Sequence, residues 1–575
     1  MALLSSGLSP SITVKEVDLS GVVPNVNTTT GAIVGDFQWG PTEEPKLIGN
    51  QSSLVSTFGQ PSLTSAADFH AAANFLRYSG NMYVTRMVDD SATNSCIAAV
   101  DSDGDAPLIK NLSEFDTQKT GLASAGNTFI GKFPGTAGNS LKVAYIGSCN
   151  DSDFALWAYA DLFDAKPVSS AHALNLGGSN DEVHVAVIDE DGTFSGTKGT
   201  VLETFPFVSQ ASDAKTSDGS SNFIEDVINS KSEYVYCVDL DEGYTNHGSV
   251  SSTAFGSTHT AVASSLSGGV ASAALGTAEM ITGYDMYADE NSYEVDFIIA
   301  PGMTTDTDQA TVVNHIVSMI AGGNGRKDCV AVASPSRSAV VNVAASSVVA
   351  STLTSVNLFT SSSYLVADNN YLKVYDKYND QYIMVPAASS TAGIMAATDI
   401  NAAPWFSPAG QRRGQYFGVT SLAYNPSKVE RDQLYKAGIN PIVNLPGQGI
   451  LLFGDKTKES RPSAFDRINV RRLFLVIEKA IKRASSGVMF EFNDEFTRSE
   501  FVNIVEPFLR EIKGRRGITD FRVVCDATNN TANVIDTNNF VASIFVKPAR
   551  SINFVTLNFV ATRTGVEFEE IVGTV

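Results

Sequence analysis

The residues whose types could carry chemistry are scattered. Gly126-Asn-Thr-Phe-Ile-Gly131-Lys132 matches most of a phosphate-binding loop, in which backbone N–H groups cradle phosphates and a lysine neutralises them. Phe133 stands where a hydroxyl should hold magnesium, and Pro134 and Gly135 argue against the helix whose N-terminus would face the phosphates. Asp101-Ser-Asp-Gly-Asp105 resembles the start of a calcium loop, but Ala106 replaces the sixth-position glycine and Leu112 the closing glutamate, so an acidic turn is expected. The six histidines (His70, His172, His184, His247, His259, His315) show no H-E-x-x-H pair. The five cysteines (Cys96, Cys149, Cys237, Cys329, Cys525) include no C-x-x-C, and tetrahedral zinc has little support. There is no G-x-S-x-G elbow either. A Cys/His nucleophile pair stays open in principle, because such partners meet in space, but cysteines within apolar strand patterns read as buried small hydrophobes. We expect no catalytic residues, no cofactor and no metal.

The chain that would position any such group has 575 residues, enough for three to four domains at roughly 150 residues each. It is 43% hydrophobic but only 18% charged, with a formal net charge of −22. That composition supports a folded core and argues against a general nucleic-acid binder. Odd, widely spaced cysteines suggest free thiols made in a reducing compartment. The opening Met-Ala-Leu-Leu-Ser-Ser-Gly lacks the basic and apolar regions of a signal peptide, and no apolar run is long enough to cross a membrane. The charge is uneven. Residues 405–575 carry 23 Lys+Arg and 18 Asp+Glu, net +5, whereas the remaining 404 residues carry 17 and 44, net −27. Such asymmetry suggests parts that face different neighbours.

Elements follow from periodicity. Residues 10–18 read as an extended arm, with Ile12 and Val14 alternating with polar neighbours. A helix over 65–78 and a strand over 82–87 suggest an α/β core, continued by buried strands at 294–300 and 328–334 around a helix at 306–321. Residues 91–245 change character to short apolar alternations between Gly/Asp/Ser turns, a mainly β insertion of one or two subdomains. In it, Asp191-Gly192 suits a two-residue hairpin turn. Two uncharged tracts, 243–278 and 338–367, are too rich in Val, Ala and Leu for flexible linkers and read as buried or assembly-facing. The last part is α+β. Val470, Leu473, Phe474, Ile477, Ile481 and Ala484 form a helical stripe, Thr497-Arg-Ser-Glu500 suggests the capping box of a second helix, and strands are expected at 518–525, 540–546 and 552–561. The fold class is therefore mixed, α/β and α+β, multidomain: arm 1–22, α/β core 23–90 plus 246–404, β insertion 91–245, and α+β domain 405–575. Basic helix faces at 471–483 and at Arg510, Lys513, Arg515 and Arg516 suit either an acidic partner or a solvated surface favoured by the helix dipole.

Several segments resemble contractile tail sheath proteins of myovirus phages. They are Phe37-Gln-Trp-Gly-Pro41, Thr57-Phe-Gly-Gln-Pro61, Pro134-Gly-Thr-Ala-Gly-Asn139, Ser407-Pro-Ala-Gly410 with Arg413-Gly414, Ala464-Phe-Asp-Arg-Ile-Asn-Val-Arg-Arg-Leu-Phe474, and Lys547-Pro-Ala-Arg-Ser-Ile-Asn-Phe554 with Asn558-Phe-Val-Ala561. The resemblance covers residues 1–90 and 260–575 well and 91–245 in pattern only. It implies a virion component, assembled in the host cytoplasm, that polymerises with itself around a tail tube and meets tube, baseplate and tail-terminator proteins. Contraction would drive the tube through the host envelope, with no nucleic-acid partner and no membrane insertion. It further implies arms that add strands to neighbouring subunits, for which Ile12, Val14, Val17, Ile552, Phe554, Leu557 and Phe559 are the candidates. The C-terminal domain would lie inward and the insertion outward. Lys479, Lys482, Arg483, Arg510, Lys513, Arg515 and Arg516 are the candidate tube contacts on the reading that a net-positive domain meets an acidic tube. The sheath of a related contractile machine, or a hydrolase with a β-rich appendage, are the competing readings.

Overall fold

The computed structural model describes residues 28–98, 106–240, 249–250, 255 and 259–553. They divide into two compact units, one within Pro24–Lys482 and one within Arg483–Val575. The larger unit is built on a seven-stranded sheet in the order Ile439–Asn440, Leu365–Asp368, Val330–Ala333, Phe297–Ile299, Gly31–Gly35, Met82–Arg86, Lys46–Ile48. All neighbours pair parallel except the last, which is antiparallel. Parallel strands need both faces covered, which is why these segments are apolar throughout rather than alternating. Ile33, Val84, Ile299, Val332 and Val366 join one core with the helices Ala66–Leu76 and Ala388–Asn401. Ala32, Val34, Ile298, Ala331 and Ala367 join the opposite core with Thr277–Asp285, Asp306–Ala321 and Val348–Asn357.

The β insertion leaves this frame after Met82–Arg86 and returns before Thr277–Asp285. Its exit and return run side by side: Thr93 and Val270 exchange backbone bonds of 3.1 and 3.2 Å, and Cys96 and Ser267 exchange bonds of 2.8 and 2.9 Å. Between them lies an antiparallel sheet ordered Thr200–Ser209, Glu182–Asp189, Leu141–Gly147, Val262–Ser265. The insertion's sheet thus draws a strand from beyond residue 245. Trp39 of the core anchors it by edge contacts with Phe133 and Phe194. Arg86, 1% exposed, donates to the carbonyls of Phe37 (2.7 Å), Gly40 (2.9 Å) and Pro134 (2.6 Å), tying the core loop to the insertion's first turn. Asp191-Gly192 is not a two-residue hairpin. The strands are joined by the longer loop 190–199, which the Asp189 carboxylate organises by accepting from Ser140 Oγ, from the backbone N–H groups of Gly192, Phe194 and Ser195, and from Ser195 Oγ.

Residues 405–482 belong to the core unit rather than to the C-terminal one. They supply the edge strand Ile439–Asn440 and all but the last three residues of the helix Ile468–Ser485, whose first turns are buried nearly all round, Arg471 and Arg472 included. The C-terminal unit packs Phe501, Val505, Leu509 and Ile512 of the helix Glu495–Gly514 against an antiparallel ribbon, Ile518–Val524 with Ser543–Pro548. That helix starts earlier than the capping-box pattern suggests. Its cap is Asp494, whose carboxylate accepts the Thr497 N–H at 2.8 Å, and Pro507 sits inside it.

Candidate assembly surfaces

In open parallel sheets, ligands bind beyond the C-terminal strand ends where strand order reverses. Here that point lies between Gly31–Gly35 and Phe297–Ile299. The molecule's own side chains fill it. Tyr284 donates to the Ile299 carbonyl at 2.6 Å, and Tyr371 donates to the Pro335 carbonyl at 3.2 Å. A Cβ added to Gly302 would lie 3.2 Å from the Tyr371 hydroxyl and 3.0 Å from the Pro386 ring. Two carboxyls sit nearby, Asp68 accepting the Asp36 N–H at 3.0 Å, and burial pushes them up to about 6 and about 7. A third, Asp368, is fully buried and pushed up to about 7, although Ser334, Asn370 and Thr391 donate to it. Such raised values suit proton transfer in a cleft; Asp368 is packed into the core, whereas Asp36 and Asp68 are half-buried beside the strand end.

The sequence candidates for chemistry are likewise occupied. Phe129–Gly131 is a strand paired with Val235–Cys237, and Lys132 donates to the Ser232 carbonyl beneath the Tyr236 ring. The five cysteines are buried, and burial drives the Cys237 and Cys329 thiols well above their usual range. His70 faces Asp376 at 3.1 Å in the interior, and His315 meets Asp285 at 2.6 Å. Among the described residues no group of three or more His, Cys, Asp or Glu could hold a metal, and no helix is long and apolar enough to cross a membrane. Residues 101–105 and His247 lie outside the described residues.

The cations behave differently from the sequence expectation. Residues 405–482 carry 13 Lys+Arg against 6 Asp+Glu, net +7, while 483–575 carry 10 against 12, net −2. The positive surplus therefore sits on the core unit, and much of it is neutralised by that unit's acidic groups. Lys479, 10% exposed, bridges Glu294 (2.8 Å) and Asp296 (3.0 Å). Lys482 pairs with Glu290, Arg472 with Asp399, and Arg467 with Asp455 (2.8 Å). Arg483 is exposed and begins the C-terminal unit. On that unit Arg510 meets Glu506 at 3.2 Å, Lys513 meets Asp520 at 3.1 Å and Arg515 meets Glu511 at 3.5 Å, all on the surface. Arg516 follows at a positive φ of 68°.

Of the arm candidates, Ile12, Val14, Val17, Phe554, Leu557 and Phe559 lie outside the described residues, and Ile552 is 84% exposed. What the structure adds is a receptive surface. The ribbon Ile518–Val524/Ser543–Pro548 has two strands among the described residues, so each strand keeps one edge without a ladder partner. Two-stranded ribbons are marginal alone, and open edges accept further strands. Beside the helix start, Met489, Phe490, Phe492 and Phe496 are exposed, Phe490 completely and at a positive φ of 72°. The sequence reading missed this patch. Its signal was there: four large apolar residues within eight positions.

Two family profiles match the chain: phage tail sheath protein central domain over residues 273–458 and phage tail sheath C-terminal domain over 460–562. The chain is 34% identical to the tail sheath protein of Enterobacteria phage T4, an alignment covering 98% of this chain and 99% of that protein. It is 32% identical to that of Vibrio phage KVP40, covering 98% and 100%. Among solved structures, its fold is similar to a sheath tail protein from Listeria innocua (TM-score 0.53, 12% identity, 91% of this chain and 96% of that one). A sheath tail protein from Desulfitobacterium hafniense is also similar (TM-score 0.50, 13% identity, 90% and 94%).

Proposed function

This chain belongs to the phage tail sheath family, and from that premise we propose how it works as the repeating structural subunit of a contractile tail. Copies polymerise helically around a tail tube in an extended state formed in the host cytoplasm. They then shorten and drive the tube through the envelope, held at the ends by baseplate and tail-terminator proteins. Two lattices of one subunit suffice if the contracted one buries more interface, because rigid cores can turn while flexible links keep them joined. No nucleotide is needed, and we read the chain as non-enzymatic. The side chains packed into the crevice of the parallel sheet support that reading.

The observation that carries the proposal is the two-edged ribbon Ile518–Val524/Ser543–Pro548. Arms from neighbouring copies, residues 10–18 and 552–561, would add strands to it, linking subunits by main-chain hydrogen bonds that survive rotation of the cores. Of the tube-contact candidates, the exposed Arg510, Lys513, Arg515 and Arg516 fit an acidic tube better than Lys479, which already satisfies two carboxylates of its own chain. Deleting residues 1–20 tests the linkage. The shortened chain should remain folded and monomeric in the electron microscope; regular tubes formed at the normal rate would defeat the proposal.

A further inference from the structure

The two places where the chain leaves the core unit meet at one buried charged cluster. The chain enters that unit's described part at Thr28, and the helix Ile468–Ser485 continues past Lys482 into the C-terminal unit. Arg472 of this helix is 5% exposed. Its guanidinium lies 4.5 Å from the Phe297 ring centroid, pairs in a fork with Asp399, and donates to the carbonyls of Met395 (3.0 Å) and Thr28 (3.1 Å). Two turns later Lys479 donates to Asp296 Oδ1 at 3.0 Å, while Asp296 Oδ2 accepts the Thr30 N–H at 3.1 Å. Residues 28–30 are thus gripped on one side by a cation of the helix and on the other by a carboxylate beside the sheet strand Phe297–Ile299. Thr28, Asp296, Asp328, Arg472, Leu475, Val476 and Lys479 line a cavity of about 10 Å³ at this point, space for one water.

Stability alone does not account for such a cluster. Exchanging a buried ion pair for apolar side chains of similar volume is often neutral or stabilising, so buried pairs are better at fixing geometry than at adding free energy. We propose that Arg472–Asp399 and Lys479–Asp296 form a clamp. It fixes residues 28–30 and the helix up to Lys482 to the core sheet as one rigid piece, so that the flexing that lets cores turn is confined to the chain outside residues 28–482. The clamp rests on the sheath reading for its purpose, because there the two exits lead to the segments that hold neighbouring copies. In its absence the core would still fold, but its two links would pivot independently and the polymer would lose its register.

The test uses the full-length chain with the apolar pair Arg472→Met/Asp399→Leu, and separately the pair Lys479→Met/Asp296→Leu, which removes the acceptor of the Thr30 N–H. Each double variant should melt within a few degrees of the parent. A collapse of the melting transition would mean that the pairs serve core stability, and the clamp would be abandoned. Hydrogen exchange on the unassembled chain then reads the clamp itself. The Thr30 amide and the helix end 476–482 should exchange at least tenfold faster, with the helix Asp306–Ala321 unchanged. Unchanged protection at Thr30 overturns the proposal whether or not the chain is a sheath subunit. In the assembly assay the variants should yield at least tenfold fewer regular tubes than the parent. Parent-like tubes from both variants would likewise overturn it, whereas a parent that forms no tubes counts against the sheath reading instead.

Discussion

Replacing Asp368 by asparagine is expected to stabilise the core unit, and by more at alkaline than at acid pH. The Asp368 carboxyl is fully buried and accepts from Ser334 Oγ (2.9 Å), the Asn370 N–H (3.2 Å) and Thr391 Oγ1 (3.2 Å). Desolvation outweighs those bonds and raises the carboxyl from 3.8 to about 7. A folded-state value above the unfolded one means that the stability contribution is complete below the unfolded value and is lost as pH rises through the folded value. Each pH unit separating the two values is worth about 1.4 kcal/mol. The cost of this carboxyl is then roughly 1–2 kcal/mol near pH 5 and about 4 kcal/mol near pH 8.5. Asparagine removes the ionisation and keeps the geometry. Its Oδ1 still accepts from Ser334 and Asn370, and its amide N–H can donate to Thr391, whose hydroxyl turns toward Tyr416 at 2.9 Å. The melting midpoint of the core transition, compared for the two proteins at both pH values and equal ionic strength, reads the difference of about 2–3 kcal/mol as roughly 3 °C. An equal change at both pH values would refute the reasoning, because a packing effect of the substitution does not titrate.

The insertion should respond to acid in the opposite sense. His184 Nδ1 accepts the Phe207 N–H at 3.0 Å, its Nε2 bonds the Ala165 carbonyl at 2.7 Å, and burial lowers its basicity below the usual 6.5. Its contribution is therefore intact above 6.5 and lost as pH falls toward the depressed folded value; a pH-independent midpoint for the insertion would contradict this. Gly135→Ala should destabilise the joint between core and insertion by about 1–3 kcal/mol in urea unfolding. The reason is that Gly135 has φ of 132° and a Cβ there would lie 2.9 Å from the Gln38 carbonyl oxygen. Phe490→Ser with Phe492→Ser should leave melting unchanged, since both side chains are exposed, but slow tube formation, each lost contact between copies being worth about 1.5–3 kcal/mol. Unaltered assembly kinetics would exclude the patch as a contact between subunits.

Legibility in the sequence followed the range of the interactions. The helix at 306–321 and the strand within 328–334 could be read because their signals are local, an acidic first turn behind Thr305 in one case and a buried apolar run in the other. The cations at 472 and 479 could not be read in the same way. They sit on an amphipathic helix as a solvated or partner-facing charge would, and only folding brings Asp399 and Asp296 to them across 73 and 183 residues. Asp189 shows the same limit at short range, because its carboxylate builds a ten-residue loop where Asp191-Gly192 alone suggests a tight turn. The open ribbon was half legible: both strands were expected, but nothing local says that they have no further partner among the described residues.

The most direct measurement of the central claim is a cryo-electron microscopy reconstruction of tubes assembled from the purified chain. Such tubes should be hollow helical polymers in which the ribbon Ile518–Val524/Ser543–Pro548 has become part of a larger sheet, with at least one added strand traced to a neighbouring copy. Tubes in which both ribbon edges stay bare, or are filled only by the subunit's own chain, would contradict it.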